Sequence, residues 1–371
     1  MTKKKPKKIL LSAGGTGGHL FPAIAIAEPL KKAGINVHLV TDLRCQKYLT
    51  DDLNIEVHIT DLYLKFGGVI NRIIAAFKTT KAIIKATFLV KKLNPDLVIG
   101  FGGYPSFPAV FAAKILKIPI IIYEPNCYLG SSNKFFANDA KIIALAFEKT
   151  QNLDNNYQQK VVIVGDIIRD NIKKLATKNK TKKDFDTKIF NIFIFGGSQG
   201  AKIFAQLIPE AIKLLHKKIT NLKLNTKITV TQQAAIDDQT KIAKIYDQLN
   251  ISYQLLDFFH NIAEIYTKSH LAISRAGSGT VGELTMVNLP AIFIPLPSAA
   301  ADHQYYNAKA LSDTNSSWCY RQEDLTPEIL ANKIAELIQD RNQLKVAAGS
   351  LAKRKSNGNK IFTDTVLKII S

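Results

Sequence analysis

The sequence predicts an α/β fold of two parallel-sheet domains that hold a ligand in a cleft between glycine loops. Short apolar runs alternate with longer helical patterns along the 371 residues, which is typical of parallel sheets covered by helices on both faces. Two of these runs end in similar glycine loops, Gly14-Gly-Thr-Gly-Gly-His19 and Gly196-Gly-Ser-Gln-Gly200, and a helical segment follows each. With 46% hydrophobic residues, a chain of this length can form two cores.

The predicted strands are short runs dominated by apolar side chains. In the first half they are Lys8–Ser12, Val37–Thr41, Leu97–Gly100, Pro119–Tyr123, Ile142–Leu145 and Val161–Val164. In the second half they are Ile192–Phe195, Lys227–Thr231, Leu271–Ser274 and Ala291–Ile294. The lysine-rich segment 175–188 separates the two series and is predicted to be a linker region.

The charge balance is strongly basic, with 50 Lys and Arg against 30 Asp and Glu. The surplus indicates an acidic partner (nucleotide phosphate, nucleic acid or anionic membrane) or a lysine-rich solvated surface. Cys45, Cys127 and Cys319 are too widely spaced for a disulfide scaffold or paired zinc ligands. The apolar run behind the basic N-terminus is too short for a signal peptide, and none approaches the about 18 to 20 residues of a membrane span. We therefore expect a protein of the reducing cytoplasm.

Glycine-rich turns between strand and helix let the backbone approach a phosphate or sugar and aim N–H groups at it. The first loop is not a dinucleotide fingerprint, because Leu20 occupies the last glycine position, and the chain contains no Walker A sequence. A tight structural turn is the alternative interpretation. In a later turn, Gly277 and Thr280 can meet an anion, and Glu283 can accept hydrogen bonds from a ribose diol or act as a capping carboxylate.

Six motifs follow one another across nearly the whole chain. They are Gly14-Gly-Thr-Gly-Gly-His19 with Phe21-Pro22; Gly102-Gly-Tyr-Pro-Ser106; Glu124-Pro-Asn126 with Asn133-Lys134; Gly196-Gly-Ser-Gln-Gly200; Arg275-Ala-Gly277 with Thr280 and Glu283; and Asp302-His-Gln-Tyr-Tyr-Asn-Ala308. Together they closely resemble the family of the peptidoglycan enzyme MurG. That family transfers N-acetylglucosamine from UDP-N-acetylglucosamine to undecaprenyl-pyrophosphoryl-N-acetylmuramoyl-pentapeptide, called lipid I, and so makes lipid II.

The resemblance implies an inverting glycosyltransferase of the GT-B fold, in which two Rossmann-like domains face a central cleft. It implies neither a metal nor a cofactor. Residues 1–165 correspond to the acceptor-binding, membrane-facing domain and residues 166–343 to the UDP-sugar-binding domain. The remaining helical segment, 344–371, is expected to pack back on the N-terminal domain.

The resemblance also assigns site residues. Thr16, Gly17 and Gly18 correspond to the loop that approaches the donor pyrophosphate and the acceptor, and Tyr104 lies on the acceptor side. The other donor-binding positions are Asn126 and Gln304 for the sugar, Ser198, Gly277 and Thr280 for phosphate, Arg169 and Phe259 for uridine, and Glu283 for ribose.

His19 is the candidate base that removes a proton from the attacking hydroxyl, since the ordinary pKa of imidazole lies near neutrality. The alternatives are that His19 binds phosphate or caps the helix. Two segments depart from the family pattern. The usual His-Glu-Gln-Asn is here Tyr123-Glu-Pro-Asn126, and the usual Gly-Asn-Pro-Val-Arg is Gly165-Asp-Ile-Ile-Arg169.

Residues 62–95 include seven basic residues and no acidic one. On a helical wheel a lysine stripe lies beside an apolar stripe, which suits an interfacial helix on anionic lipid. The alternative is a helix whose apolar side packs on the sheet. The lysine stripe consists of Lys78, Lys81, Lys85 and Lys92, and the apolar stripe of Ile70, Phe77, Ile84 and Phe88.

We therefore expect a peripheral enzyme at the cytoplasmic face of the inner membrane. Its expected partners are UDP-N-acetylglucosamine, lipid I, the anionic membrane surface and other cell-wall synthesis proteins. The rivals are another UDP-sugar GT-B enzyme such as a glycolipid glycosyltransferase, a non-hydrolysing UDP-N-acetylglucosamine epimerase, and a basic nucleic-acid-binding protein. No nucleic acid is expected, because the chain has no recognised nucleic-acid motif.

Overall fold

The computed structural model describes residues 6–49, 53–60, 69–178, 183–197, 201–259, 261–355 and 357–371, without the side chains of residues 69, 70, 72, 73 and 178. The chain divides into two compact units, Met1–Arg169 with Ser356–Ser371, and Asp170–Lys355. Within the described ranges, no helix combines the length and the apolarity needed to cross a membrane.

The first unit is built on a seven-stranded sheet whose neighbouring strands are all parallel. The order is β3-β2-β1-β4-β5-β6-β7, where the strands are β1 (Lys8–Ser12), β2 (Asn36–Asp42), β3 (Glu56–Thr60), β4 (Leu97–Gly100), β5 (Ile120–Glu124), β6 (Ile142–Leu145) and β7 (Val161–Ile163). The helices among these strands are α1 (Gly17–Lys32), α2 (Val69–Leu93), α3 (Phe107–Ile115) and α4 (Ser131–Phe136).

The second unit repeats this topology with a six-stranded parallel sheet. Its order is β10-β9-β8-β11-β12-β13, where the strands are β8 (Ile189–Phe195), β9 (Lys227–Gln233), β10 (Ser252–Leu256), β11 (Leu271–Ser274), β12 (Ala291–Phe293) and β13 (Trp318–Cys319). Its helices are α5 (Asp170–Lys178), α6 (Lys202–Asn221), α7 (Ile236–Gln248), α8 (Ile262–Lys268), α9 (Ser278–Met286), α10 (His303–Ser312), α11 (Pro327–Gln339) and α12 (Arg341–Arg354).

The last helix, α13 (Gly358–Ile370), belongs to the first unit. Asn359 joins it to two segments of that unit: its Oδ1 accepts the N–H of Ile168 at 3.0 Å, and its Nδ2 donates to the carbonyl oxygens of Ile168 and Ala25 at 3.1 and 3.2 Å. Phe362 is fully buried and packs against the rings of Phe101 and Tyr123.

The observed unit boundaries follow Arg169 and Lys355, whereas the sequence placed them after residues 165 and 343. The predicted segment 344–371 is divided, because Leu344 of α12 is buried in the core of the second unit while α13 packs on the first. The described parts of the predicted linker, 175–178 and 183–188, also belong to the second unit. The first of them is the end of α5, which packs against α8 and α9.

All ten predicted strands are present, with ends that differ by a few residues. The strands that the sequence did not predict are β3, β10 and β13, and each lies at an edge of its sheet. Edge strands lack neighbours on one side, so they are short or carry polar residues among apolar ones. β3 and β10 mix exposed with half-buried residues, and β13 has two residues. None of them forms the apolar run that identifies a central strand.

In each sheet the order in which successive strands are added reverses at one point. This point lies between β1 and β4 in the first sheet and between β8 and β11 in the second. Ligands of open parallel sheets bind beyond the carboxyl ends of the strands at such a point. The four glycine turns of the sequence follow β1, β4, β8 and β11, so each unit has two of them beside its own ligand crevice.

His270 joins β11 to β8 through two hydrogen bonds. Its backbone N–H donates to Asn191 O at 2.9 Å, and its Nδ1 accepts the N–H of Asn191, also at 2.9 Å. The ring stacks on Phe190, with centroids 5.6 Å apart. Burial, with the nearby cations Lys183 and Arg341, lowers the pKa of His270 from its ordinary 6.5 to about 4.

We predict that His270 makes the second unit sensitive to acid. Between pH 6.5 and about 4 the unfolded chain protonates this imidazole and the folded chain does not, so the free energy of unfolding decreases as the pH falls through that window. His270→Asn supplies an oxygen acceptor for the Asn191 N–H but does not titrate. Melting curves at about pH 7.5 and about pH 5 should show a smaller acid-induced decrease in melting temperature for the variant than for the wild type. Equal decreases would contradict the assignment.

Candidate active site

The first glycine loop ends in a helix N-terminus suited to an anion. Thr16 is the N-cap of α1 with extended backbone (φ −147°), its side chain makes no capping hydrogen bond, and the first turn of α1 has no acidic residue. The first N–H groups of a helix have no partner within the helix and carry the positive end of its dipole. The predicted residues Thr16, Gly17 and Gly18 therefore lie where backbone N–H groups can receive phosphate.

The His19 ring lies against the turn that follows β4. A Cβ added at Gly102 would lie 3.2 Å from Cδ2 of His19, and one added at Gly103 would lie 3.2 Å from its Nδ1. Both glycines have positive φ, 84° and 73°, so backbone conformation and space both require glycine here. On the loop side, Oγ1 of Thr16 is 3.2 Å from Nδ1 of His19. The two glycine turns of the first unit together orient the imidazole.

The loop after β5 is organised around the buried carboxylate of Glu124, which is 2% exposed. Its Oε1 accepts from the backbone N and the Nδ2 of Asn126 at 3.0 and 2.9 Å. Its Oε2 accepts from Gly130 N and Asn133 Nδ2, both at 2.9 Å. Burial raises the pKa of Glu124, and the four N–H donors oppose that shift. Four donors match the acceptor-only character of an ionised carboxylate.

The structure brings the candidate residues His19 and Asn126 into one set of contacts. Nδ2 of Asn133 lies 3.2 Å from the position of a Cβ on Gly102, the same glycine that the His19 ring contacts. Asn133 and Asn126 both donate to Glu124. The sequence had placed Glu124 and Asn133 in a motif without a role, and the structure identifies them as the residues that position Asn126.

An ion pair between the buried Asp42 and the exposed Arg44 supports the first loop from the side of β2. Oδ1 of Asp42 accepts the N–H of Gly15 at 3.3 Å, and Arg44 donates to its Oδ2 from Nε at 2.8 Å and from Nη2. The Arg44 guanidinium lies 5.0 Å from the centre of the Tyr104 ring, so Tyr104 lies beside this loop as well. Asp42 and Arg44 were not among the site residues predicted from the sequence. The available signal was the position of Asp42 at the carboxyl end of a strand adjacent to β1.

The two departures from the family pattern contact each other. The buried Tyr123 hydroxyl donates to Gly165 O and accepts the N–H of Ile167, each at 3.3 Å. The family's usual residue at position 167 is proline, which has no N–H, so Ile167 adds a buried donor that needs an acceptor. Tyr123 supplies that acceptor where the family usually has histidine. Nearby, the Arg169 guanidinium lies over the Phe21 ring, 4.5 Å from its centre.

In the second unit, the loop after β8 is described as far as Gly197, so the predicted phosphate contact Ser198 lies outside the described residues. Gly196 donates its N–H to Oε1 of Gln233 at 3.0 Å. A Cβ on Gly197 would lie 4.0 Å from Oγ1 of Thr280. Gly277 is the N-cap of α9, with no side-chain cap and no acidic residue in the first turn. Gly277 and Thr280 thus mark a second helix N-terminus suited to an anion.

The remaining predicted donor residues surround α9 and β8. Glu283 is buried, and its Oε2 accepts the Tyr266 hydroxyl hydrogen bond at 3.1 Å. Because Glu283 lies beyond the first turn of α9, the capping alternative does not apply. Oε1 of Gln304 accepts from Ala276 N and Leu296 N at 3.2 and 3.0 Å, so Nε2 is the end of this side chain that could donate to a ligand. Phe259 is buried with its ring edge-on to Phe193.

Helix α2 turns its predicted apolar stripe outward. Phe77 and Phe88 are 72% and 71% exposed, and Ile84 is 54% exposed. The core side of the helix consists of Ala86, Val90 and Leu93 instead. The lysines of the stripe, Lys78, Lys81, Lys85 and Lys92, are exposed, and the side chain of Ile70 lies outside the described residues.

Family models and known relatives of this chain point to one glycosyltransferase family. The models of the glycosyltransferase family 28 N-terminal and C-terminal domains match residues 9–145 and 191–361. A relative from Rickettsia bellii is 48% identical over 98% of this chain and 100% of its own length, and its name is UDP-N-acetylglucosamine--N-acetylmuramyl-(pentapeptide) pyrophosphoryl-undecaprenol N-acetylglucosamine transferase. A relative from Rickettsia felis with the same name is 47% identical over 98% of this chain and 100% of its own.

Solved structures agree with this family. The crystal structure of MurG from Acinetobacter baumannii has a TM-score of 0.77 at 30% identity and covers 98% of this chain and 100% of its own. The structure of the UDP-N-acetylglucosamine 2-epimerase of Neisseria meningitidis, bound to UDP-N-acetylglucosamine, has a TM-score of 0.66 at 15% identity. It covers 97% of this chain and 100% of its own, and at this identity the likeness is one of fold alone. The predicted α/β fold of the GT-B class, with two Rossmann-like domains, is confirmed. The chain belongs to the MurG family of glycosyltransferases.

Proposed function

We propose that this chain transfers N-acetylglucosamine from UDP-N-acetylglucosamine to lipid I in peptidoglycan synthesis. The observation that carries this function is the nearly full-length likeness, at 45 to 48% identity, to relatives that share the name of this transferase. The 2-epimerase likeness extends to the fold only. The decisive experiment is transfer of radiolabelled N-acetylglucosamine from its UDP donor to a short-chain analogue of lipid I. Failure to transfer, with UDP-sugar binding intact, would favour the glycolipid glycosyltransferase alternative.

The reaction requires a base on one side and charge stabilisation on the other. The muramoyl 4-hydroxyl oxygen forms a bond to C1 of the donor sugar while the bond from C1 to the phosphate oxygen breaks, so the anomeric configuration inverts. The hydroxyl proton goes to the base, and UDP leaves with the bonding electrons. Helix N-termini stabilise the growing pyrophosphate charge. No step needs a redox change.

We assign these tasks to the motif residues one by one. In the second unit, the N-terminus of α9 with Gly277 and Thr280, and the loop after β8 with Ser198, bind the diphosphate. What supports this assignment is the uncapped helix start beside Gly197. Glu283 binds the ribose hydroxyls, Phe259 the uridine and Gln304 the sugar. Of the residues in the first unit, Arg169 binds the uridine and Asn126 the sugar. In the first unit, Thr16, Gly17 and Gly18 bind at the pyrophosphate and acceptor, with Tyr104 on the acceptor side.

His19 is the proposed base. Its support is the orientation of the ring by Oγ1 of Thr16 and by the backbone of Gly102 and Gly103. A ring held on both sides keeps one geometry toward the attacking hydroxyl, which general base catalysis needs. A second support is that His19 and Asn126 are linked through Gly102, Asn133 and Glu124 within the first unit.

We predict that His19→Asn lowers kcat by about 100-fold or more, the usual contribution of general base catalysis. The KM for UDP-N-acetylglucosamine should change little, because the donor is bound mainly by other residues. Steady-state kinetics with both substrates saturating measure this, and His216→Asn on α6 is the matched control that should leave kcat unchanged. If His19→Asn kept near-normal turnover, His19 would not be the base. Its role would then be to bind phosphate or to cap the helix after the first glycine loop.

We predict that Glu283→Gln raises the KM for UDP-N-acetylglucosamine by about 10- to 100-fold, the usual effect of losing hydrogen bonds to a charged group. The wild type should discriminate against a donor that lacks the ribose 2′-hydroxyl, and the variant should discriminate less. Glu264→Gln on the exposed side of α8 is the control. If the variant kept the full discrimination of the wild type, Glu283 would not be the ribose ligand.

We also propose that α2 rests on the anionic cytoplasmic surface of the inner membrane. Its support is the exposure of Phe77, Ile84 and Phe88 beside Lys78, Lys81 and Lys85. Exposed aromatic rings next to lysines are typical of helices that lie in the interface of a bilayer. Contact with other cell-wall synthesis proteins remains a further expectation.

Replacing Lys78, Lys81 and Lys85 together by Glu should weaken binding to vesicles that contain anionic lipid by about 100-fold or more, since each lysine contributes about 1 kcal/mol near such a surface. Cosedimentation at several salt concentrations measures this, and wild-type binding should weaken as salt increases. The control replaces Lys213, Lys217 and Lys241 of the second unit by Glu, with the same change in net charge. Equal binding of the two triple variants would refute the α2 surface.

A further inference from the structure

Two histidines and a glutamate form a cluster at the edge of the first sheet. His38 lies on β2, and Glu56 and His58 lie on β3; His38 is paired with Glu56, and Val40 with His58. Because alternate residues of a strand share a face, the three side chains lie on one face. That is the face covered by α2, since Val40 packs with Val90 and Leu93. The loops of the candidate active site are at the opposite, carboxyl ends of the strands.

Four possible ligand atoms lie close together in this cluster: one nitrogen from each histidine and both carboxylate oxygens of Glu56. Nδ1 of His38 is 3.3 Å from Oε2 of Glu56, Nε2 of His58 is 3.6 Å from Oε1 of Glu56, and the two nitrogens are 3.5 Å apart. Charged hydrogen bonds are shorter, about 2.7 to 2.9 Å. Tetrahedral zinc with bonds of about 2.0 to 2.1 Å holds neighbouring ligand atoms about 3.3 to 3.4 Å apart. With one ligand atom taken from each residue, the three atoms lie within 4.8 Å of one another, so small side-chain rotations would bring them to the spacing of one face of a metal tetrahedron.

The chemistry of the side chains suits a metal as well. His38 is buried, and its Nδ1 is the ring nitrogen that faces Glu56 and His58. Burial lowers the pKa of both His38 and His58, which favours the neutral imidazole that a metal requires. The Glu56 side chain is 62% exposed, so an ion can enter and keep water as its fourth ligand.

Two lysines oppose a cation here. Lys8 acts on His38 and Lys92 on His58 through their positive charges. Nζ of Lys8 is directed to the carbonyl oxygen of Leu93 at 3.0 Å, and Lys92 is exposed. Their charges weaken the site without blocking it, and Lys92 offers a change that should strengthen it.

We propose that His38, Glu56 and His58 bind one divalent transition-metal ion of the zinc class. Two imidazoles and one carboxylate with an open position are a ligand set that zinc favours. The ion would join the edge strand β3 to β2 and so stabilise the first unit. It would take no part in glycosyl transfer, so the proposed function does not depend on it.

The test uses the full chain after removal of metals with a chelator. Zinc is titrated in competition with a chromophoric zinc indicator, and one ion per chain should bind and raise the melting temperature. Glu56→Gln and His58→Gln alter exposed and half-buried side chains and should each weaken zinc binding by at least about 10-fold. Lys92→Ala should tighten binding, and His216→Gln should leave it unchanged. Melting curves with chelator present establish that each variant is folded.

Absence of stoichiometric zinc binding to the wild type would overturn the proposal. Binding that survives both Glu56→Gln and His58→Gln would overturn it too, and would direct attention to the cysteines. Because the readout is metal binding and thermal stability, glycosyl transfer can succeed or fail without affecting the outcome.

Discussion

The buried carboxylate of Glu124 is the interaction on which the candidate site of the first unit depends. A carboxylate removed from water is costly unless it is fully hydrogen-bonded, and the loop after β5 folds so that four N–H groups meet this one. Asn133 and the His19 ring both border the space beside Gly102, where a Cβ would lie 3.2 Å from each of them. One buried charge thus couples the loops that follow three adjacent strands, β1, β4 and β5.

The two units support their glycine loops in the same way but with different charge. The last residue of the second strand accepts an N–H from the loop in both cases: Asp42 from Gly15 and Gln233 from Gly196. Asp42 is negative and is paired with Arg44, whereas Gln233 is neutral. A neutral support suits the loop proposed to bind the donor diphosphate, because a carboxylate there would repel phosphate. The ion-paired support belongs to the loop that carries His19.

The departures at positions 123 and 167 are compatible with the family's site because they satisfy each other. Ile167 introduces a buried N–H, the Tyr123 hydroxyl accepts it, and the same hydroxyl donates to Gly165 O. Glu124 and Asn126, the neighbours of Tyr123, retain the hydrogen bonds that organise the loop. The substitution therefore changes the packing behind the loop and leaves its polar side as the motif predicts.

The central strands, the glycine turns and the family could be predicted from the amino-acid sequence alone, because buried parallel strands are continuous apolar runs and the motifs are local. Features that depend on neighbours distant along the chain became known only from the folded structure. β3 and β10 are edge strands without such runs, α12 and α13 pack on different units, and Phe77 and Phe88 face outward although a wheel allows either direction. His38 and His58 meet only because β2 pairs with β3. Glu124 likewise acquires its role from donors that the folded loop brings to it, since burial and pairing are properties of the fold.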